Sequence, residues 1–295
     1  MDAARERVIE ANGLTFAADE AGEGDDVALL LHGFPESRRS WRAQLPALAA
    51  LGWRAVAVDM RGYGGSSRPK ARAAYRMDAL TADVAGLFDA LGARRRLLIG
   101  HDWGGVVAWA FAVGRMRPLD GLVILNAPHP GAYLAHLRRS PGQALKSWYV
   151  LFFQLPWLPE ALTTAAGARA VRRAFAATAA RPEVFPPALL DHYAEAARAP
   201  GAMTAMINYY RANAAGLGQW SGARAPPITT PTLVIWGQQD PFLDAALADP
   251  GRERVGDLTV EPIAGAAHWV QQEAPEAVNR ALAAWMAAKG LAPAG

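Results

Sequence analysis

The 295-residue chain contains no cysteine. That excludes disulfides, thiolate metal sites and a cysteine nucleophile, and it leaves the redox compartment open. Lysine is almost as scarce. Lys70, Lys146 and Lys289 are the only three, and arginine carries the remaining positive charge, scattered except for the short run Arg94–Arg96. The formal net charge is only +3. A nucleic-acid binder concentrates basic charge on one face, so no nucleic acid or other polyanionic partner is expected. Long hydrophobic runs are missing too. The strongest apolar stretch, Trp148–Leu158, is interrupted by Gln154 and Pro156 and is too short to span a bilayer, so no membrane partner is expected. The opening MDAARERVIE has no apolar core followed by a small-residue cleavage site, and a cytoplasmic location is the resulting expectation. His32, His101, His129, His136 and His192 show no ligand spacing of the H-E-x-x-H kind, so neither metal nor cofactor is expected.

Apolar residues make up 52% of the chain and charged residues 19%, proportions that belong to a folded globular protein. The apolar segments also have an order. Val8–Ala11 and Leu14–Ala18 flank Asn12-Gly13, a tight-hairpin signal because both residues tolerate positive φ. Val27–Leu31 is continuously apolar, as a strand covered on both faces must be. Then follow a predicted helix over 40–50, a strand over 55–58, a helix over 79–91, a strand over 97–99, a helix over 104–115 and a strand over 122–125. This alternation predicts an α/β fold with a mainly parallel sheet. From about residue 128 to 222 the pattern becomes helical, aromatic-rich and punctuated by proline. Strands resume at 232–236 and 258–263, and a helix over 275–288 closes the chain. The expected organisation is one core, 1–127 with 223–295, interrupted by a helical cap domain, 128–222. Open α/β sheets bind ligands beyond the carboxyl ends of their strands, and an insertion leaving from that edge would roof the site.

The most informative stretch is Leu97-Leu98-Ile99-Gly100-His101-Asp102-Trp103-Gly104-Gly105. An apolar strand runs into a G-x-D-x-G turn and a helix, the nucleophile-elbow pattern with aspartate where serine more often stands. The exchange changes the chemistry. A carboxylate is already ionised near neutral pH and can displace a leaving group at saturated carbon, forming an enzyme ester. Hydrolysis of that ester then needs an activated water. The plainer role for Asp102, capping the following helix, is outweighed by the partners that come after it in the order this elbow requires. Asp240 follows the strand over 232–236, and His268 follows the strand over 258–263. A neutral imidazole takes a proton from water, and a carboxylate beside it fixes its tautomer and stabilises the imidazolium. Leu31-His32-Gly33-Phe34-Pro35-Glu36 can supply the Phe34 amide to an oxyanion hole completed by the amide of Trp103. The glycine-rich loop 59–67 lacks the Gly-Lys-Ser/Thr ending of a phosphate loop and reads as structural.

Taken together, HGFPESRRSW (32–41), DMRGYGGSSRP (59–69), GHDWGG (100–105), WGQQD (236–240) and GAAHW (265–269) resemble epoxide hydrolases of the α/β-hydrolase family. The resemblance implies an α/β-hydrolase fold, with a mostly parallel central sheet flanked by helices and an inserted helical cap. It also implies two cap tyrosines that hydrogen-bond the epoxide oxygen. The segment 147–154 is similar to the family stretch holding the first, which carries over to Tyr149. The segment 207–211 is similar to that holding the second, which carries over to Tyr210, with Tyr209 the neighbour that a one-residue slip would exchange for it. Glu36 and Trp41 are further expected on the substrate side, Glu36 as an aid to orienting the hydrolytic water. Haloalkane and fluoroacetate dehalogenases share the aspartate elbow. The former usually carry Asn where this chain has Phe34, and the latter Arg where it has Trp103. The expected reaction is hydrolysis of a small-molecule epoxide to a vicinal diol by a monomer or homodimer. Its rivals are dehalogenation on the same nucleophile and a non-catalytic small-molecule binder.

Overall fold

The computed structural model describes residues 4–214, 216 and 225–291. The chain opens with a hairpin of β1 (Arg5–Ala11) and β2 (Leu14–Ala21), closed by Asn12 and Gly13, both at positive φ. Next come β3 (Asp26–Leu31), α1 (Gln44–Ala50), β4 (Arg54–Val58), α2 (Met77–Ala90), β5 (Arg95–His101), α3 (Trp103–Val113) and β6 (Gly121–Leu125). After the inserted helices the chain continues with β7 (Thr232–Gly237), β8 (Leu258–Ile263), a short helix over Val270–Glu273 and a last helix over Pro275–Ala288. The eight strands form one sheet in the order β1-β2-β4-β3-β5-β6-β7-β8. β1 and β2 run antiparallel to their neighbours, and every pairing from β4 across to β8 is parallel.

The continuous apolar runs are explained by a sheet buried on both faces. Strand side chains alternate between faces. Val27, Leu29 and Leu31 of β3 therefore join one apolar layer, and Ala28 and Leu30 join the other. The same division splits Val56 and Val58 from Ala55 and Ala57 in β4, and Leu122 and Ile124 from Val123 and Leu125 in β6.

Between β6 and β7 the described residues form six α-helices, α4 (Pro130–Leu137), α5 (Pro141–Lys146), α6 (Trp148–Phe152), α7 (Leu158–Thr178), α8 (Pro187–Arg198) and α9 (Ala202–Asn213). The end of the expected cap and its boundary at 222/223 lie outside the described residues. Polar contacts seat this insertion on the core. Asp244, in the loop after β7, accepts from His136 Nε2 at 2.8 Å and Ser140 Oγ at 3.1 Å, and pairs with Lys146 Nζ at 2.9 Å. Glu273 Oε2 accepts the amides of Ala180 and Arg181 at 2.7 and 3.2 Å.

Two differences from the sequence pattern have local causes. The helix expected over 40–50 divides into a 3-10 turn, Arg38–Trp41, and α1. Pro46 has no amide hydrogen to give to the preceding turn, so it is tolerated only in the first turn of a helix, which places the start at Gln44. α2 begins two residues earlier than expected because the Met77 amide is satisfied by Asn213 Oδ1, 2.9 Å away on α9, a partner that local sequence does not contain. Among the described residues, no helix is long and apolar enough to cross a membrane.

Candidate active site

At the carboxyl end of β5 the backbone makes the sharp turn that the glycine pattern requires. Asp102 stands at φ 48°, ψ −119°, a conformation that a non-glycine residue adopts only when its surroundings impose it. The surroundings are tight. A Cβ at Gly100 would run into the backbone of Gly104, and one at Gly104 would run into the carbonyl of Leu31. Glycine at both positions lets strand, helix and the neighbouring β3 approach closely enough to lift the Asp102 side chain off the sheet edge. The turn leads directly into α3, so the Trp103 amide heads a helix N-terminus, where backbone N–H groups are free of helical partners. On the other side, the Phe34 amide donates to Asp102 Oδ1 at 2.8 Å.

His268 and Asp240 reach the same point from the ends of β8 and β7. His268 Nδ1 bonds Asp240 Oδ2 at 2.8 Å, and its Nε2 lies 3.7 Å from Asp102 Oδ2. Asp240 is held rigidly. Its Oδ1 accepts the amides of Phe242 and Leu243 at 2.8 and 3.1 Å, and its Oδ2 also accepts from Asn126 Nδ2 at 2.7 Å. Burial pulls the His268 pKa down, but the two carboxylates that flank it overcome this and push it up to about 10. Burial likewise opposes the ionised form of Asp102, yet His268, His101 and the Phe34 amide hold its carboxyl below the usual range. The resting pair is therefore carboxylate and imidazolium.

Two cavities meet at Asp102. One, of about 350 Å³, is bounded by Phe34, Phe153, Val171, Phe242, His268 and Trp269. The other, of about 100 Å³, is bounded by Trp103, Val106, Ala127, Tyr133 and Leu243. Their shared lining is Asp102, Tyr149 of α6 and Tyr210 of α9. The two tyrosine rings meet edge to face with centroids 6.0 Å apart, and Tyr210 packs edge-on against Trp103 at 5.0 Å. Burial raises both phenols well above their ordinary pKa, and the charge on Asp102 adds to it, so both keep their protons.

Three residues expected on the substrate side are placed elsewhere. Tyr209 is fully buried, donates its hydroxyl to the Arg61 carbonyl at 2.9 Å and does not border either cavity at Asp102. Adjacent residues on a helix point about 100° apart, which is why Tyr210 reaches the cavities and Tyr209 does not. Trp41 packs with Leu45, Leu48 and Trp53 in the apolar layer behind the sheet, where its bulk fills core. Glu36 is buried, and both its oxygens are committed. Oε2 accepts from the Gly33 amide at 3.1 Å and bonds His101 Nδ1 at 2.8 Å, while Oε1 accepts from Gln271 and Gln272 at 3.0 and 2.6 Å. It braces the site from beneath, since His101 Nε2 in turn meets the carbonyl of His268 at 2.9 Å. His101 and Asn126 are absent from the sequence expectations. His101 lies inside the elbow motif with no metal-ligand spacing to mark it, and Asn126 follows its strand with no motif of its own.

A family model described as alpha/beta hydrolase fold matches residues 27–275. The chain belongs to that family. Among its relatives, human epoxide hydrolase 4 is 36% identical over 280 residues, covering 92% of this chain and 75% of the human protein. Epoxide hydrolase A of Mycobacterium tuberculosis is 36% identical over 317 residues, covering 96% and 97% of the two chains. The crystal structure of Bacillus megaterium epoxide hydrolase with an inhibitor superposes with a TM-score of 0.87 at 26% identity, over 95% of this chain and all of the other.

Proposed function

We propose that the protein is an epoxide hydrolase that works through an ester on Asp102. The observation that carries this reading is the pair of phenols that line a largely apolar cavity together with a carboxylate, with an imidazole–carboxylate pair behind the carboxylate. In the first step Asp102 Oδ2 attacks a ring carbon. The carbon–oxygen bond breaks, and the departing oxygen takes a proton from Tyr149 or Tyr210. An alkoxide is far more basic than a phenolate, so the transfer runs downhill. A departing halide needs no proton, which is why two convergent phenols favour ring opening over dehalogenation. Asp102 Oδ1, already on the Phe34 amide, is then the ester carbonyl oxygen.

Once Asp102 is esterified, the His268 imidazolium gives its proton through solvent to the phenolate, and the neutral imidazole, oriented by Asp240, then takes a proton from water as hydroxide adds to that carbonyl. The amides of Phe34 and Trp103 hold the oxyanion. Collapse, with the proton of the added hydroxyl passing to the departing alkoxide, releases the diol and returns the carboxylate beside the imidazolium. The inserted helices serve as a lid that supplies the tyrosines and excludes water. The test is a single turnover in heavy-oxygen water with enzyme in excess. Label should enter the Asp102 side chain first. Label passing directly into the diol, with unlabelled protein, would overturn the covalent route. Halide release without diol formation, assayed side by side, would favour the dehalogenase reading.

A further inference from the structure

The nucleophile does not stand at the end of a blind pocket. It stands at a constriction between two cavities that share only Asp102 and the two tyrosines among their bounding residues. An epoxide whose oxygen is held by Tyr149 and Tyr210 while Asp102 faces a ring carbon has its two carbons at that constriction, one toward each chamber. We propose, building on the epoxide reading above, that the enzyme is made for 1,2-disubstituted epoxides with unequal apolar arms, an aryl or comparably bulky arm on the His268 side and a short alkyl arm on the Tyr133 side.

Size and chemistry of the walls decide the assignment. An apolar cavity of ~150 Å³ is large enough to take benzene. The chamber beside His268, at about 350 Å³, exceeds that, and its aromatic walls from Phe34, Phe153, Phe242 and Trp269 suit a flat ring. The chamber beside Tyr133, at about 100 Å³, falls below it and leaves room for a methyl or ethyl group. The polar groups in its wall do not make it a polar subsite. Asn126 is engaged with Asp240 and Gly237, Asn213 with Met77, Tyr75 and Tyr209, and the Tyr133 hydroxyl donates to Ser147 at 2.8 Å. Carrying arms into chambers on either side of the constriction also favours the trans over the cis isomer. Val106, one turn into α3 from the nucleophile, borders the small chamber alone and is the residue that limits the short arm.

The wild-type enzyme tests this with three substrates compared by kcat/KM: styrene oxide, trans-β-methylstyrene oxide and trans-stilbene oxide. The methyl compound should be hydrolysed at least as efficiently as styrene oxide, and stilbene oxide at least tenfold less efficiently than the methyl compound, the discrimination that a few misfitting carbons give. Val106→Phe should lower the ratio of methylstyrene oxide to styrene oxide at least tenfold. Turnover of styrene oxide with tenfold poorer use of the methyl compound would overturn the two-arm assignment and leave the epoxide reading standing. Stilbene oxide matching the methyl compound would overturn the unequal arms. No diol from any of the three would overturn both readings together. The wild-type comparison decides the matter even if Val106→Phe fails to fold.

Discussion

Replacing Asp102 with asparagine should lower the pKa of His268 by about three units. In the resting protein His268 is buried between Asp240 at 2.8 Å and Asp102 at 3.7 Å, and although burial opposes its charge the two carboxylates push it to about 10. A histidine in that state is an acid at neutral pH and cannot activate water. Esterification of Asp102 removes one of the two negative charges, and Asp102→Asn imitates that removal at nearly constant shape. At 3.7 Å and an effective dielectric of ~20, one unit charge is worth about 4.5 kcal/mol. At roughly 1.4 kcal/mol per unit, that lowers His268 to about 7, where an imidazole works well as a base. The first chemical step thus creates the catalyst for the second. Histidine labelled at carbon Cε1 and followed by NMR through a pH titration reads this directly, with the His268 signal assigned by its loss in His268→Gln. The sign also predicts the behaviour of the wild type. Ester hydrolysis needs neutral His268, so it should rise with pH through about 7. Ester formation needs only ionised Asp102, whose carboxyl is held low, so it should continue in mild acid. Rapid-quench mass spectrometry near pH ~5.5 should therefore find the alkyl-enzyme accumulating. A titration shift of less than one unit in Asp102→Asn would refute the argument.

Three further outcomes follow from the same geometry. His268→Gln should trap the ester on Asp102, seen as added mass after exposure to a reactive epoxide, and an enzyme that stays unmodified would remove His268 from the hydrolytic step. Replacing both Tyr149 and Tyr210 with phenylalanine should slow ring opening by about 10²–10⁴-fold, the usual worth of a general acid; adduct formation at the wild-type rate in single-turnover measurements would show that the phenols are not used. Asn126→Ala deletes the 2.7 Å bond to Asp240 and the acceptor of the Gly237 amide, both buried. It should destabilise the protein by about 1–3 kcal/mol in chemical denaturation, the cost of leaving buried polar groups unpaired. An unchanged midpoint would refute that account.

The core strands were legible because a sheet covered on both faces writes itself as unbroken apolar runs, and the hairpin because Asn12-Gly13 names its own turn. The elbow was legible for a steric reason, since only glycine at 100 and 104 lets strand and helix close around Asp102. Contacts between distant segments carried no such signature. Trp41 sits within a motif that borders the site, yet nothing local distinguishes a tryptophan that lines a pocket from one that fills the layer behind the sheet. Glu36 stands two residues beyond the Phe34 amide donor, but its direction is set by His101, Gln271 and Gln272, two of them more than two hundred residues away. Whether Tyr209 or Tyr210 faced inward depended on the rotation of α9 about its axis, which tertiary packing fixes. The two chambers had no trace in the sequence, because volume is a property of what many side chains leave unfilled.

The loop after β7 bears Asp240, which orients the histidine, and four residues later Asp244, which ties down α4 and the start of α5. So short a span gives the roof and the proton relay a common hinge point. The inserted helices are thus not an independent module to be transplanted between relatives at will. A chimera that exchanges them should carry residues 240–244 along with the graft, because a mismatched anchor would tug on the carboxylate that keeps the imidazole in line.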